Sequence, residues 1–231
     1  IVVATVRALK YNWWVAVPGL KNENLQALAE WICNLEKHVE NMKKFKIPVM
    51  VCLNRFDTDS EAEINFVKEK CANLWVEFEL WEWFAKWWDW MINLAQKTIK
   101  IVDNDSSKFE FLYSENSSIK EKIEKIVTEI YGWDWVDYSD IASDYIAELE
   151  KSWFGNLPIC MAKTQYSFTD DPKILWRPNW FRINIKEIKL SAWAWFIVAV
   201  SWDIMTMPWL PKEPNAVKID IFEDGKIVGL S

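Results

Sequence analysis

Tryptophan and glycine occur in nearly inverted amounts in this chain of 231 residues, which holds 18 tryptophans and only 5 glycines. Glycine makes up about 7% of an average protein, so a chain of this length ordinarily holds roughly 16. Glycine also supplies the left-handed backbone that many tight turns require. The chain must therefore either fold with few such turns or place another residue in them.

Most of the tryptophans lie beside Asp, Asn, Ser or Pro, and not in periodic apolar runs. With glycine in their place, these clusters become the Asn-Gly, Gly-Asp and Pro-Gly dipeptides that mark turns. We interpret most or all of the 18 tryptophans as glycines encoded by UGA, in a lineage that reads this codon as glycine. The clusters are Asn12–Trp14, Ala85–Trp90, Gly132–Trp135, Ser191–Trp195, Ser201–Asp203 and Pro208–Pro211.

The alternative is a protein that is truly rich in tryptophan, and its energetic cost is high. A side chain forced into a left-handed turn costs about 1 to 2 kcal/mol, and overpacking a close contact costs about 1 to 3 kcal/mol. Over half of the 18 sites, such penalties approach the whole stability of a domain, which is about 5 to 15 kcal/mol.

Charge and composition exclude several classes of protein. The net charge is −7, with acids and lysines interspersed, so the basic stripe of a nucleic-acid-binding protein is missing. No apolar run reaches the length of a membrane span, and no signal peptide opens the chain. The four cysteines include no Cys-x-x-Cys pair, which indicates reduced thiols of a cytoplasmic protein and no metal site. The only histidine, His38, lies on a solvated helical face, which argues against a histidine-dependent triad.

The first half of the chain has the order strand, helix, strand of an α/β fold. Residues 1–6 read as a strand inside a fold, and residues 22–45 have helical apolar spacing. The continuous apolar run at 49–53 is typical of a parallel strand covered on both faces. A helix over 60–74 and a strand over 76–80 follow. Mainly parallel sheets flanked by helices are therefore expected.

The second half predicts further helices at 91–102, 117–131 and 140–151. Short strands are expected at 109–112, 157–162, 181–190, 196–201 and 217–221, which suggests a more mixed sheet near the C-terminus. We divide the chain into an incomplete nucleotide-binding domain at 1–45, an α/β domain at 46–131 and a C-terminal α/β domain at 132–231. The break at 132–137 separates the last two.

Two loops at the carboxyl edge of the first sheet are candidate ligand loops, because open α/β sheets bind ligands at this edge. Asn54–Asp59 is similar to the guanine-reading motif of GTPases, but the chain has no Gly-x-x-x-x-Gly-Lys-Ser/Thr phosphate loop. Phe56 on this loop and Phe84 on the next one are placed to enclose a flat ring between them. The alternative is that both rings pack into local core.

Two polar clusters follow strands in the second half, at Lys163–Ser167 and Asp203–Thr206. Either cluster is suited to bind a ligand or to cap a following helix, and the sequence favours capping.

Five motifs distributed over the chain resemble formate–tetrahydrofolate ligase, also called formyltetrahydrofolate synthetase. The resemblance runs from the first residue to the last but covers only the C-terminal part of that enzyme, which has a P-loop-NTPase-like fold. Its motifs are Val3–Tyr11 (VATVRALKY), Asn34–His38 (NLEKH), Asn54–Phe56 (NRF) with Thr58–Asp59, Phe154–Gln165 (FGNLPICMAKTQ) and Asp203–Pro208 (DIMTMP).

The resemblance implies an enzyme that uses ATP and Mg²⁺ to make formyl phosphate from formate and then formylates tetrahydrofolate at N10. It implies that Phe56 and Phe84 hold the pterin ring, although many family members have tryptophan at the position of Phe84. Arg177, Pro178 and Asn179 resemble a turn near the adenine. A monovalent cation and a cytoplasmic homotetramer are implied as well.

No catalytic residue is expected within this chain, because the resemblance places the phosphate loop and most of the charged groups that act on formate and phosphate upstream of Ile1. The fragment alone is therefore expected to be inactive. The alternative function is a non-catalytic binding or membrane-interface module that uses its tryptophans as anchors. The tryptophan clusters lack the amphipathic spacing and the lysine-rich face that such a module needs.

Overall fold

The computed structural model describes residues 1–11, 17–81, 89–104, 107–133, 135–201, 212–222 and 227–229. Within them, two α/β units follow one another along the chain. The first unit (residues 1–104) contains a three-stranded sheet, and the second unit (residues 107–201) contains a four-stranded one.

The sheet of the first unit is wholly parallel, with β1 (Val2–Ala4), β2 (Met50–Asn54) and β3 (Glu77–Trp81) side by side in that order. β2 pairs with both neighbours, with Val3 opposite Cys52 and Cys52 opposite Glu79. The helices are α1 (Val6–Tyr11), α2 (Leu25–Lys43), α3 (Glu61–Asn73) and α4 (Asp89–Asn104), with a 3₁₀ turn at Val17–Lys21. The predicted strand-helix-strand order is confirmed.

Both faces of β2 are buried, as its unbroken apolar sequence predicts. Successive side chains of a strand point to opposite faces. Val51 and Leu53 accordingly pack with α1, α2 and α3, while Met50 and Cys52 pack with Leu94 of α4. The central strand is therefore covered by helices on both sides, which is the usual setting of a parallel strand.

Side-chain caps fix the starts of the helices that frame the carboxyl edge of this sheet. Asn24 accepts a hydrogen bond from the Ala27 amide at the start of α2. Ser60 and Glu63 form a reciprocal capping box at the start of α3. Such caps each contribute about 1 kcal/mol, and the second one ends the loop that carries Phe56.

The sheet of the second unit is mixed, in the order β4 (Val136–Tyr138), β6 (Ile183–Ser191), β7 (Phe196–Ser201), β5 (Ile159–Ala162). β6 and β7 run antiparallel, and the other two pairs run parallel. Packed against it are α5 (Ile119–Ile126), which continues as a π-helical turn over Val127–Tyr131, and α6 (Asp140–Lys151). The predicted α/β class and the mixed sheet near the C-terminus are both confirmed.

The predicted strand at 109–112 is wrong. These residues form irregular backbone, and Phe109 and Phe111 are exposed on its surface. Phe109 stacks on Phe45 and contacts Phe111, so the aromatic residues that suggested a strand form a surface cluster instead. The expected strand at 217–221 is confirmed only for its last two residues, β8 (Asp220–Ile221), which pairs with β9 (Ile227–Val228), while its first two residues end a 3₁₀ turn (Asn215–Lys218).

Left-handed backbone coincides with tryptophan. Six non-glycine residues among those described have positive φ, and five of them are tryptophans. The indoles of Trp75, Trp153 and Trp180 are at least 86% exposed. The five are Trp75, Trp153, Trp176, Trp180 and Trp195. The prediction that tryptophan stands in turns of the glycine type is thus confirmed at these positions, whereas Trp13, Trp14, Trp87, Trp88, Trp202 and Trp209 lie outside the described residues.

None of the helices in the described ranges combines the length and apolar character that a bilayer crossing requires.

Candidate functional site

The loop after β2 has a fixed shape that presents Phe56 at the carboxyl edge of the first sheet. The Phe56 amide donates to Oδ2 of Asp59 at 2.9 Å, and the Asp59 amide donates back to the Phe56 carbonyl at 2.9 Å. The Arg55 amide donates to the carbonyl of Trp81 on β3, which joins the loop to the neighbouring strand. Phe56 is half-buried. One side of its ring is therefore supported by protein while part of it reaches solvent.

Asp59 is the buried anchor of this loop. It is 4% exposed, and burial raises the pKa of its carboxyl above the usual value, although the hydrogen bond from the Phe56 amide opposes that shift. Because the amide donates to a carboxylate oxygen, the bond is of the charge-assisted kind, which is stronger than a neutral one.

Arg7 at the start of α1 reaches over the same loop. Its Cζ lies 4.0 Å from the centre of the Phe56 ring, and its Nη2 donates to Oγ1 of Thr58 at 3.2 Å. Such a cation–π contact lies well within the roughly 6 Å over which the ring attracts a cation.

A buried ion pair beneath the loop joins α1 to α3. Nζ of Lys10 lies 2.9 Å from Oε1 of Glu63, and both side chains are fully buried. The remaining bonds satisfy the pair, because Lys10 also donates to the Asn22 carbonyl while Glu63 accepts from the Asn24 and Ser60 amides. A buried pair is tolerated when its hydrogen bonds are complete, and this one connects α1, the start of α2 and the cap of α3.

Phe84, the second ring of the predicted pair, lies outside the described residues. β3 ends at Trp81, which pairs with Asn54 at the end of β2. The carboxyl ends of β2 and β3 are therefore neighbours at the same edge of the sheet. The enclosure of a ring by Phe56 and Phe84 stays a prediction.

The predicted adenine turn at Arg177, Pro178 and Asn179 is held against α2. The guanidinium of Arg177 donates twice to the carboxylate of Glu40, at 2.9 and 2.7 Å. Pro178 is buried and Asn179 is exposed. Two left-handed residues, Trp176 and Trp180, bracket the turn, so its backbone follows a path that suits glycine at both ends.

The polar cluster Lys163–Ser167 caps no helix, so the favoured capping interpretation is wrong. The described chain from 163 to 182 contains turns and bends and no helix. Nζ of Lys163 donates to the carbonyls of Thr164 and Ser167, and it lies 4.9 Å from the centre of the Tyr131 ring. The other cluster, Asp203–Thr206, lies outside the described residues.

Lys163 lines a cleft of about 540 Å³ between the two units, which is also lined by Tyr11, His38, Asn41, Tyr131 and Gln165. Burial lowers the pKa of Lys163 to about 8. The imidazole of His38 contacts Phe168, with ring centres 4.8 Å apart, and this covering lowers its pKa, with Lys163 and Lys37 acting in the same direction. The sequence placed His38 on a solvated helical face, and the side chain does reach solvent there.

Within the described ranges, no group of three His, Cys, Asp or Glu side chains is arranged to hold a metal ion. All four cysteines are unpaired.

Sequence reasoning missed two residues that the structure brings to the candidate sites, Arg7 and Glu40. Arg7 was noted only as part of the motif Val3–Tyr11, and Glu40 was not singled out. Their contacts with Phe56 and Arg177 span 49 and 137 positions of the chain. The start of α1 directly after β1 was the one local signal for Arg7, since residues at that point lie at the ligand edge of the sheet.

A family model described as formate–tetrahydrofolate ligase matches residues 1–231. The chain belongs to this family, whose members are ATP-binding ligases of folate-dependent one-carbon metabolism with a P-loop-NTPase-like fold.

Proposed function

We propose that this member of the formate–tetrahydrofolate ligase family serves the ATP-dependent formylation of tetrahydrofolate by formate, giving 10-formyltetrahydrofolate. The family match over the whole chain is the observation that carries the proposal. ATP phosphorylates formate to formyl phosphate, a mixed anhydride. N10 of tetrahydrofolate then attacks the formyl carbon, phosphate leaves, and N10 loses its proton.

In this proposal the chain contributes the folate site and not the phosphoryl-transfer groups. The printed sequence contains no Gly-x-x-x-x-Gly-Lys-Ser/Thr motif, even with every tryptophan read as glycine. The phosphate loop and the groups that act on formate then belong to residues upstream of this segment, and the segment by itself is inactive.

Phe56 and Phe84 are assigned to the pterin ring. Support comes from the fixed loop that presents Phe56 at the carboxyl edge of a parallel sheet, where ligands of such sheets bind. A pterin is flat and aromatic in part, so it gains from stacking on a phenyl face.

Arg177, Pro178 and Asn179 are assigned to the adenine end of ATP. The ion pair of Arg177 with Glu40 supports this assignment, because it holds the turn in one place against α2. A cytoplasmic homotetramer, Mg²⁺ and a monovalent cation are parts of the same proposal. The division into 1–45, 46–131 and 132–231 stays a prediction, and the described units follow other bounds, because β1 pairs with β2 across the first boundary and α5 packs on the second sheet across the other.

The tryptophan positions form the last part of the proposal. Glycine at the five left-handed positions removes a strained backbone and three largely exposed indoles. The alternative of a membrane-interface module would use those same indoles as anchors. The family match favours the ligase.

The folate assignment is tested with Phe56→Leu in the complete enzyme, which keeps an apolar side chain but removes the aromatic face. Stacking contributes about 0.5 to 1.5 kcal/mol, so the KM for tetrahydrofolate should rise by about 2- to 13-fold while the KM for ATP stays constant. The measurement is steady-state formation of 10-formyltetrahydrofolate with each substrate varied in turn.

Phe66→Leu is the matched control, because Phe66 on α3 also lies under a cation, with Nζ of Lys70 5.5 Å from its ring centre. It should leave both KM values unchanged. An unchanged folate KM in a stably folded Phe56→Leu enzyme contradicts the assignment.

A further inference from the structure

One face of the Phe56 ring is covered by the guanidinium of Arg7. The distance from Cζ to the ring centre is 4.0 Å. α1 begins at Val6, two residues after β1 ends, so Arg7 stands at the carboxyl edge of the sheet beside the loop that follows β2. Because a flat ring has two faces, the cover by Arg7 leaves only the opposite face for a ligand.

Arg7 is held in this position from within the same loop. Its Nη2 donates to Oγ1 of Thr58, and Thr58 is only two residues from Phe56. Nε of Arg7 is buried and has no hydrogen-bond partner among the described residues. A buried donor without a partner is unfavourable, so the contact with the Phe56 ring and the bond to Thr58 hold the guanidinium in place although its Nε is unsatisfied.

The loop also carries a buried carboxylate that is only partly satisfied. Oδ1 of Asp59 is buried without a described partner, while Oδ2 accepts from the Phe56 amide. Asp59 therefore fixes the backbone of Phe56, and Arg7 fixes its ring.

We propose that Arg7 is a positioning residue for the folate site, which sets the orientation of the Phe56 ring and leaves one face exposed to the pterin. This inference rests on the proposed role of Phe56. The guanidinium also withdraws electron density from the ring, and a cation on one face favours an electron-rich partner on the other. The pyrimidine ring of tetrahydrofolate, which keeps its π system and carries electron-donating nitrogens, is such a partner.

The test uses Arg7→Met and Arg7→Lys in the complete enzyme. Cation–π contacts of this kind account for about 2- to 30-fold in binding, so Arg7→Met should raise the KM for tetrahydrofolate within that range and leave the KM for ATP constant. Arg7→Lys keeps a cation near the ring and should recover part of the loss. The control is Lys120→Met, which removes the cation 4.9 Å from the centre of the Tyr138 ring in the second unit.

A double-mutant cycle separates positioning from a merely structural role. When Phe56 is already leucine, Arg7→Met should cause no further rise in the folate KM. A rise of equal size in both backgrounds overturns the inference, and so does a parallel rise of both KM values together with a lower melting temperature.

Failure of the inference and failure of the proposed function give different results. If Phe56→Leu raises the folate KM but Arg7→Met does not, Arg7 has no positioning role and the folate assignment stands. If Phe56→Leu itself has no effect on the folate KM, the folate assignment falls and the Arg7 inference falls with it.

Discussion

Trp75 and Trp31 show two opposite settings of the same residue type. Trp75 follows α3 with a φ of 56° and is 90% exposed, whereas Trp31 lies within α2, is 4% exposed and meets Trp176 edge to face with ring centres 5.2 Å apart. The backbone at Trp75 disfavours any side chain with a Cβ, while the surroundings of Trp31 accommodate a large one. Backbone conformation and burial thus identify where glycine fits, which composition alone cannot do.

This contrast in backbone conformation and burial shows at which positions the structure supports glycine in place of tryptophan. At Trp75, Trp153, Trp176, Trp180 and Trp195 the positive φ is an independent reason for glycine. At Trp31, and at Trp81 within β3, the backbone is that of the surrounding element and gives no such reason. Gly132 offers a reference, since this printed glycine ends the helical segment before it with a φ of 91°, which is the usual place for glycine.

The largest effect on stability is expected when all five left-handed tryptophans are replaced by glycine in a protein made with tryptophan at all 18 positions. Each substitution relieves about 1 to 2 kcal/mol of backbone strain, so the set should raise the free energy of unfolding by about 5 to 10 kcal/mol if the sites act independently. Chemical denaturation of the two chains measures the difference.

The same five positions changed to alanine provide the control. Alanine removes the indole but keeps a Cβ, so most of the strain remains. If the alanine set stabilises the chain as much as the glycine set, the gain comes from removing the indoles and not from relieving backbone strain. The contrast drawn between Trp75 and Trp31 would then be wrong.

Trp31→Gly in the same tryptophan-containing protein is expected to change stability less and in the opposite direction. Truncating a buried tryptophan to alanine costs about 3 to 5 kcal/mol, and glycine inside a helix costs about 1 kcal/mol more than alanine. The free energy of unfolding should therefore fall by about 4 to 6 kcal/mol. A stabilising Trp31→Gly would instead extend the glycine interpretation to the helical positions.

The parallel core of the fold was predictable because its signals are local. The apolar run at β2 and the helical spacing of α2 each span a few turns or a single strand, and both lie within a few residues of their predicted bounds. The strand predicted at 109–112 was wrong because a local signal does not show whether a partner strand is present. The aromatic residues of this segment favour a strand, but a strand needs a pairing partner, and Phe109 packs on Phe45 instead.

The site was predictable only in part. Phe56 follows from its place after a buried strand, since that edge of the sheet binds ligands. Arg7 and Glu40 did not follow, because contacts across 49 and 137 positions leave no periodic trace in a single sequence. The polar run at Lys163 was assigned to a cap, yet the chain there bonds to its own carbonyls and lines the cleft between the two units.

The most direct test of the account is peptide mass spectrometry of the protein purified from its native source. Peptides that cover positions 75, 153, 176, 180 and 195 carry the left-handed residues. If UGA is read as glycine, all five positions carry the residue mass of glycine. The mass of tryptophan at these positions would contradict the account, and the protein would then have to bear the strain that its backbone imposes there.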